Sequence, residues 1–224
     1  MAGSVVQSVG NDTNAAGTTL ATGAFASSVT INNFILVTLT LDSAEASITI
    51  SKNSGTATIG AVTQREQKTE VGTSNLTTWF TFQVTATGTL DILATTGSAH
   101  STKGISASEI SGVNAYQVSS SATDAGNNPT TTINATVSTA PAFGVMTGCD
   151  VQGGTLTVGT GYTSDGTTGT GVQDRCSIQH QSFSTTGSKS GNFANAGFDR
   201  NNAALIIFTE GSFGAQNQLA WVTA

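Results

Sequence analysis

Apolar positions along the chain recur every second residue and never hold a helical period for the ten or so residues that mark a helix. In "ASITISK", Ile48 and Ile50 share one face while Ser47, Thr49 and Ser51 take the other. "LTTWFTFQVTATG" sets Phe80, Phe82 and Val84 on one face, with Trp79 opposite. In "FILVTLTL", Leu36 is followed by alternating Val37, Leu39 and Leu41, the pattern of a strand buried mainly on one side. Further strands are predicted in "SVVQSVG", "FASSVTI", "TLDILATTG", "KGISASEISGV", residues 131–137, "AFGVMTGCDV", "DRCSIQHQSFS" and "AALIIFTEG". "ATIGAVTQREQKTEV", where Arg65, Glu66, Lys68 and Glu70 alternate in sign, reads as a solvated hairpin. About ten to eleven strands, separated by Gly, Asn and Ser turns, predict an all-β, jelly-roll-like β-sandwich. Ile48, Ile50, Phe80, Phe82, Val84, Val145, Leu205 and Ile207 are expected to face one common interior. "SSSATDAGNNPTT", Ser119 to Thr131, is the most linker-like stretch. The reading prefers a long loop there, inside one domain of residues 1–210, over two smaller sandwiches.

Composition sharpens this picture. Charged residues make up 9% of the 224, against about a quarter in ordinary domains. Thr, Ser, Asn and Gly must therefore cover the surface. Twenty-six Gly and two Pro suit many tight turns. A net charge of -6 argues against nucleic acid, which needs clustered Lys and Arg. The amino terminus carries no basic and apolar leader pattern, and no stretch reaches the roughly 18 apolar residues of a membrane span. A chain made in a cytoplasm, with neither membrane nor nucleic acid as partner, is expected.

Candidate chemistry concentrates between Met146 and His180, which holds Cys149, Cys176, His180, Asp150, Asp165 and Asp174. A zinc site wants closely spaced ligand pairs. Cys176 and His180 on one strand face stand roughly 13 Å apart by strand rise, too far for one ion. Asp150, Asp165 and Asp174 supply oxygen ligands of the kind calcium takes, but without a D-x-D-x-D-G run. Cysteine catalysis needs a base beside the thiolate, and the other histidine, His100, has no acidic neighbour in sequence. "GTGYTSDGTTGTG" lacks the Lys of a phosphate loop. No metal, cofactor or catalytic residue is therefore assigned, and no enzyme is expected. The stretch reads as two strands joined by a loop over Gly153–Gly171. Its cysteines are either free and buried, the favoured state for a protein folded in a cytoplasm, or joined after release into an oxidising medium. Trp79 is the one candidate for stacking on a sugar face, with a plain packing contact as the alternative.

The run Glu109, Ile110, Ser111, Gly112, Val113 is followed by a polar Ser/Ala/Thr-rich stretch and a Thr-rich strand from Thr130 to Val137. Then come an apolar strand from Phe143 to Gly148, the segment Gly159, Gly161, Tyr162, Thr163, and an Ala-rich strand from Asn201 to Phe208. Over roughly residues 30 to 208 this order resembles a domain type of tailed-phage proteins and some bacterial surface proteins, with Ile110 where that family often has an aromatic. The resemblance implies a virion structural or surface-display module without catalytic residues. The expected function is a capsid decoration, head-fibre or tail-surface protein of a bacteriophage virion, binding other virion proteins and copies of itself. A carbohydrate-binding or adhesion module, with a glycan as partner, is the alternative.

Beyond Glu210 lies "GSFGAQNQLAWVTA", residues 211–224, which carries Phe213, Leu219, Trp221 and Val222. Burying four such side chains is worth about 1.5 to 3 kcal/mol each before ordering costs. The tail is expected to dock on its own sandwich or, preferentially, on a neighbour, making the protein a homo-oligomer with a trimer as the leading form.

Overall fold

The computed structural model describes residues 2–70, 73–123, 130–150, 156–168, 175–195 and 201–211. The chain is all-β, as its periodicity predicts. Residues up to 111 form β1 (Ser4–Thr13), β2 (Gly17–Ala24), β3 (Phe34–Leu41), β4 (Ile48–Ser54), β5 (Thr58–Ile59), β6 (Thr63–Thr69), β7 (Leu76–Ala86), β8 (Asp91–His100) and β9 (Lys103–Ser111). The remainder forms β10 (Val113–Thr123), β11 (Thr130–Val137), β12 (Ala142–Asp150), β13 (Leu156–Val158), β14 (Thr163–Thr168), β15 (Arg175–Phe183), β16 (Gly187–Asn195) and β17 (Asn201–Glu210). All pairings are antiparallel.

Among the described residues the count of 17 exceeds the expected ten to eleven, and the same architecture occurs twice. In the first half, one sheet runs β1-β9-β3-β7 with β6 and β5 both on β7, facing a sheet β2-β8-β4. In the second half, a sheet β10-β17-β12-β15-β14 faces a sheet β11-β16-β13. Strand for strand the orders match. Each half nests its pairs as a rolled antiparallel hairpin, the jelly-roll arrangement.

The four sheets stack in four layers with three cores. The first core joins Ile35, Val37, Phe80, Phe82, Val84 and Ile92 between the two sheets of the first half. The third joins Ile133, Met146, Phe183, Phe193, Leu205 and Ile207 within the second half. Between the halves lies a middle core of Phe34, Leu36, Trp79, Phe143, Val145 and Phe208, where the large sheets meet face to face. The residues expected to share one interior therefore divide. Ile50, Phe80, Phe82 and Val84 lie in the first core, with Ile48 packed against it, Val145 in the middle one, and Leu205 and Ile207 in the third. The described strands thus form two pairs of facing sheets that share the middle core.

Paired register fixes the correspondence of the halves. Phe34 lies opposite Ile110 and Gln83, and Phe143 lies opposite Phe208 and Ser182. Four residues after each Phe stand Thr38 and Thr147, whose hydroxyls hydrogen-bond to each other at 3.1 Å. Equivalent residues in mutual contact mark an approximate two-fold relation. Packing at the flanks agrees with it: β1 lies against β14 and, reciprocally, β10 against β6. Gln7 Nε2 donates to the Ser27 carbonyl at 3.2 Å while its Oε1 accepts from the Ser27 amide at 3.0 Å. Gln117 repeats the clamp, donating to the Thr139 carbonyl at 2.9 Å and accepting from the Ser138 amide at 2.7 Å. Each glutamine pins the loop entering the third strand of its own half.

The halves join at Gly112, inside the "E-I-S-G-V" run. Its φ of 72° is the left-handed region. A Cβ there would also lie 2.3 Å from the Ala2 carbonyl oxygen. The boundary is thus one residue long and earlier than the linker-like stretch, whose residues up to Thr123 pair along β17. The stretch Phe25–Ile31, expected as a strand, is a loop with one bridge, Val29 to Gly88. Inside the expected loop Gly153–Gly171, β13 and β14 are formed. Nor is the charged hairpin free. The Arg65 guanidinium lies 3.7 Å over the Tyr116 ring, and Glu66 accepts from Ser119 at 2.7 Å and Ser121 at 2.8 Å.

Candidate functional site

Trp79 does not present a stacking face. It is 0% exposed, in the middle core, and its Nε1 donates to Thr147 Oγ1 at 2.6 Å. The sugar-platform expectation is corrected: the face opposite Phe80 and Phe82 is an interior, because a second sheet covers it. Phe213, Leu219, Trp221 and Val222 lie outside the described residues.

Cys149 and Cys176 face each other directly in the β12–β15 ladder and form a disulfide. This corrects the expectation of free thiols: the register places the two Cα atoms 4.1 Å apart, within bonding reach. Both are buried, and His180 lies four positions further along β15. The two sulfurs are therefore spent on a covalent bond. Of the calcium candidates, Asp174 and the Asp150 side chain lie outside the description, and Asp165 faces His180.

Two histidine–carboxylate clusters were not legible from sequence. His100, 1% exposed, ends β8. Its Nδ1 meets Asp42 Oδ1 at 2.9 Å and Ser43 Oγ at 3.1 Å; its Nε2 meets Glu45 Oε2 at 3.2 Å. These partners come from the loop after β3, more than fifty residues away in sequence. The cluster fastens the β3–β4 connection to the β8–β9 turn. Alongside it, buried Lys103 donates to the carbonyls of Ala15, Gly17 and His100 at 2.9 to 3.0 Å. Burial pulls its ammonium down, against the opposing pull of Asp42. With both imidazole nitrogens engaged and the ring buried, this cluster is built to hold loops.

The second cluster is more open. His180 Nδ1 sits 2.8 Å from both Asp165 carboxylate oxygens, and its ring packs against Phe143 at 5.1 Å. The carboxylate only accepts, so Nδ1 carries the proton. Burial pushes the Asp165 carboxyl up, and the contact with His180 opposes that shift. The pair has a counterpart in the other half, where Arg65 Nε donates to Thr81 Oγ1 at 2.7 Å. Thr81 and His180 hold equivalent register positions, and Arg65 and Asp165 both stand at a bulge in their edge strand. The His180–Asp165 pair therefore belongs to the fastening of an edge strand. No nucleophile is bonded to it among the described residues.

Buried carboxylates elsewhere do similar work. Glu109, 0% exposed, accepts from Gln7 at 2.6 Å, the Thr30 amide at 2.8 Å and Asn33 at 2.7 Å. Asp91 accepts from Asn53 at 2.6 Å and Thr22 at 3.2 Å. Among the described residues no three His, Cys, Asp or Glu side chains converge to hold a metal ion, and no helix is long and apolar enough to cross a membrane.

The fastening of Asp42 and Glu45 predicts a pH dependence. Burial pushes the Asp42 carboxyl up, but hydrogen bonds from Ser101, His100 and the Thr102 amide outweigh it and hold it at about 2. The amides of Ser47 and Ser98 likewise hold Glu45 at about 2. Folded values below the unfolded ones stabilise the native state above about pH 4, and that stabilisation is lost as pH falls towards 2. Asp165, shifted the other way, works against the loss. Thermal unfolding is expected to change little from pH 7 to about 5 and to fall in midpoint between about pH 4 and 2. Asp42→Asn should flatten that fall. A midpoint that rises on acidification through this window contradicts the assignment.

No protein-family model, curated protein or solved structure matches this chain.

Proposed function

We propose that the chain is a non-catalytic structural protein of a bacteriophage virion, a capsid decoration, head-fibre or tail-surface component. It acts by binding neighbouring virion proteins and other copies of itself, as a homo-oligomer with a trimer as the leading form. The observation that carries this reading is the four-layer double jelly roll, whose buried Glu109, Asp91, His100 and Lys103 are spent on fastening loops and strands. Such a body is a rigid spacer with surfaces to present. Its low charge suits dense repetition, where like-charge repulsion accumulates. The disulfide fits a protein made in a host cytoplasm and then carried outside in a particle. The carbohydrate-binding alternative names Trp79 as its stacking ring, and that ring is buried.

The test is quantitative mass spectrometry of gradient-purified particles from the producing lysate, with light scattering on the purified chain. The expected result is co-sedimentation at a fixed copy number per particle and a mass that is a multiple of the 22.5 kDa chain. Absence from particles overturns the reading.

A further inference from the structure

The two halves differ at one edge. In the first, β7 continues past β6, and β5 plugs the opening there. Thr58 pairs with Ala86, and the Gly60 amide donates to the Gln83 carbonyl at 2.8 Å. Ile59, opposite Val84, packs against the first core. By register, Gln83 and Val84 correspond to Ser182 and Phe183. Thr63 opposite Thr81 likewise corresponds to Thr163 opposite His180. Past His180, however, no strand among the described residues takes the place of β5. A cleft of about 450 Å³ stands there, between the end of β15, the start of β16 and the turn before β14.

Its lining is unlike the apolar plug. Thr160, Gln181, Ser184, Thr185, Ser188 and Ser190 surround it. Their hydroxyls both donate and accept, and the Gln181 amide does the same. Gly161, with a φ of 84°, brings the turn against that amide: a Cβ there would lie 3.2 Å from Gln181 Nε2. Phe183 is buried, and the Lys189 ammonium stands 5.7 Å from its ring centroid and 2.8 Å from Thr185 Oγ1. An ammonium has three donors, of which Thr185 takes one. No described Asp or Glu lines the cleft. Glu210 meets its rim at Ser182 Oγ, 2.7 Å away, and also accepts from the Gly3 amide at 3.2 Å.

We propose that this cleft binds an acidic sugar, a saccharide bearing a carboxylate. Lys189 takes the carboxylate in a charge-assisted hydrogen bond. The Ser, Thr and Gln groups meet the sugar hydroxyls, which also donate and accept. The volume lies within the range of small-ligand sites and suits about one or two sugar rings. The site uses no part of the buried Trp79. It is also independent of the virion reading, since a chain absent from particles would keep it.

Amide NMR of the full chain, titrated with glucuronic acid, tests this. Saturating shifts are expected at Gln181–Thr185 and Ser188–Ser190, with a Kd of about 1 mM. Glucose, the same ring without the carboxylate, should bind about tenfold more weakly. Lys189→Met should lose that preference and Lys189→Arg keep it. Gln181→Glu, which sets a negative charge in the wall and leaves Lys189 in place, should weaken glucuronic acid about tenfold. The amide spectrum of each variant reports its folding in the same measurement. Cleft amides unmoved at about 10 mM glucuronic acid overturn the proposal. Unchanged affinity in both Lys189→Met and Gln181→Glu also overturns it. So does glucose binding as tightly as glucuronic acid, or acetate doing so, which would assign a bare carboxylate site.

Discussion

Replacing Trp79 by alanine is expected to lower the unfolding free energy by about 3–5 kcal/mol, as emptying a large buried aromatic site does. The ring is fully enclosed between the two large sheets. It fills space between residues of both halves, so neither half can close the cavity alone. Its Nε1 donates to Thr147, whose hydroxyl also meets Thr38. Removing the indole also leaves this buried hydroxyl pair one partner short, at a further cost of about 1 kcal/mol. Trp79→Phe separates the terms, keeping most of the volume and losing only the donor. Urea denaturation followed by circular dichroism reads both variants. A loss below about 1 kcal/mol for the alanine variant would place the ring outside a packed core.

Breaking the Cys149–Cys176 bond is expected to cost about 3–4 kcal/mol, the loop-entropy value for a sequence separation of 27. The bond closes a segment that contains β13 and β14, short strands with few buried apolar side chains: Leu156 is buried, while β14 is Thr, Ser, Asp and Gly. Without the bond, the unfolded chain gains freedom where the folded one has least packing to offset it. Thiol titration of the denatured, unreduced protein should find no free thiol. Comparing it with a Cys149→Ser, Cys176→Ser double variant in guanidinium measures the energetic term. Two titratable thiols per chain, or equal stabilities, would contradict the bond.

How much of this was legible depended on which strands carry apolar alternation. β7 and β12 announce themselves because Phe80, Phe82 and Val84, and Phe143 and Val145, recur at period two, and β17 because Leu205–Phe208 is a continuous apolar run. Missed strands such as β14 (TSDGTT) and β16 (GSKSGNFAN) consist largely of Thr, Ser and Gly, whose inward and outward positions look alike. The middle core hid for a related reason. β3 is buried on both faces, but Thr38 and Thr40 occupy half of the second face and read as solvent-facing. In fact Thr38 bonds Thr147 and Thr40 bonds the Gly104 carbonyl. Threonines whose hydroxyls find partners in an interior erase the very contrast on which the reading relies. His100 escaped for a different reason: Asp42 and Glu45 reach it only through a fold that brings distant loops together.

One residue, Gly112, joins the last strand of one jelly roll to the first of the next. A dimer of separate chains with the same two-fold seam would come apart on dilution. Here the second half is always present at an effective concentration on the order of millimolar or above, so the seam stays closed however dilute the protein. Covalent joining also removes the rule that every change at such a seam occurs twice. Thr40 opposite Thr77 in the first half corresponds to Cys149 opposite Cys176 in the second. A polar pair and a crosslink can thus occupy the same position of one architecture, each tuned for its own half.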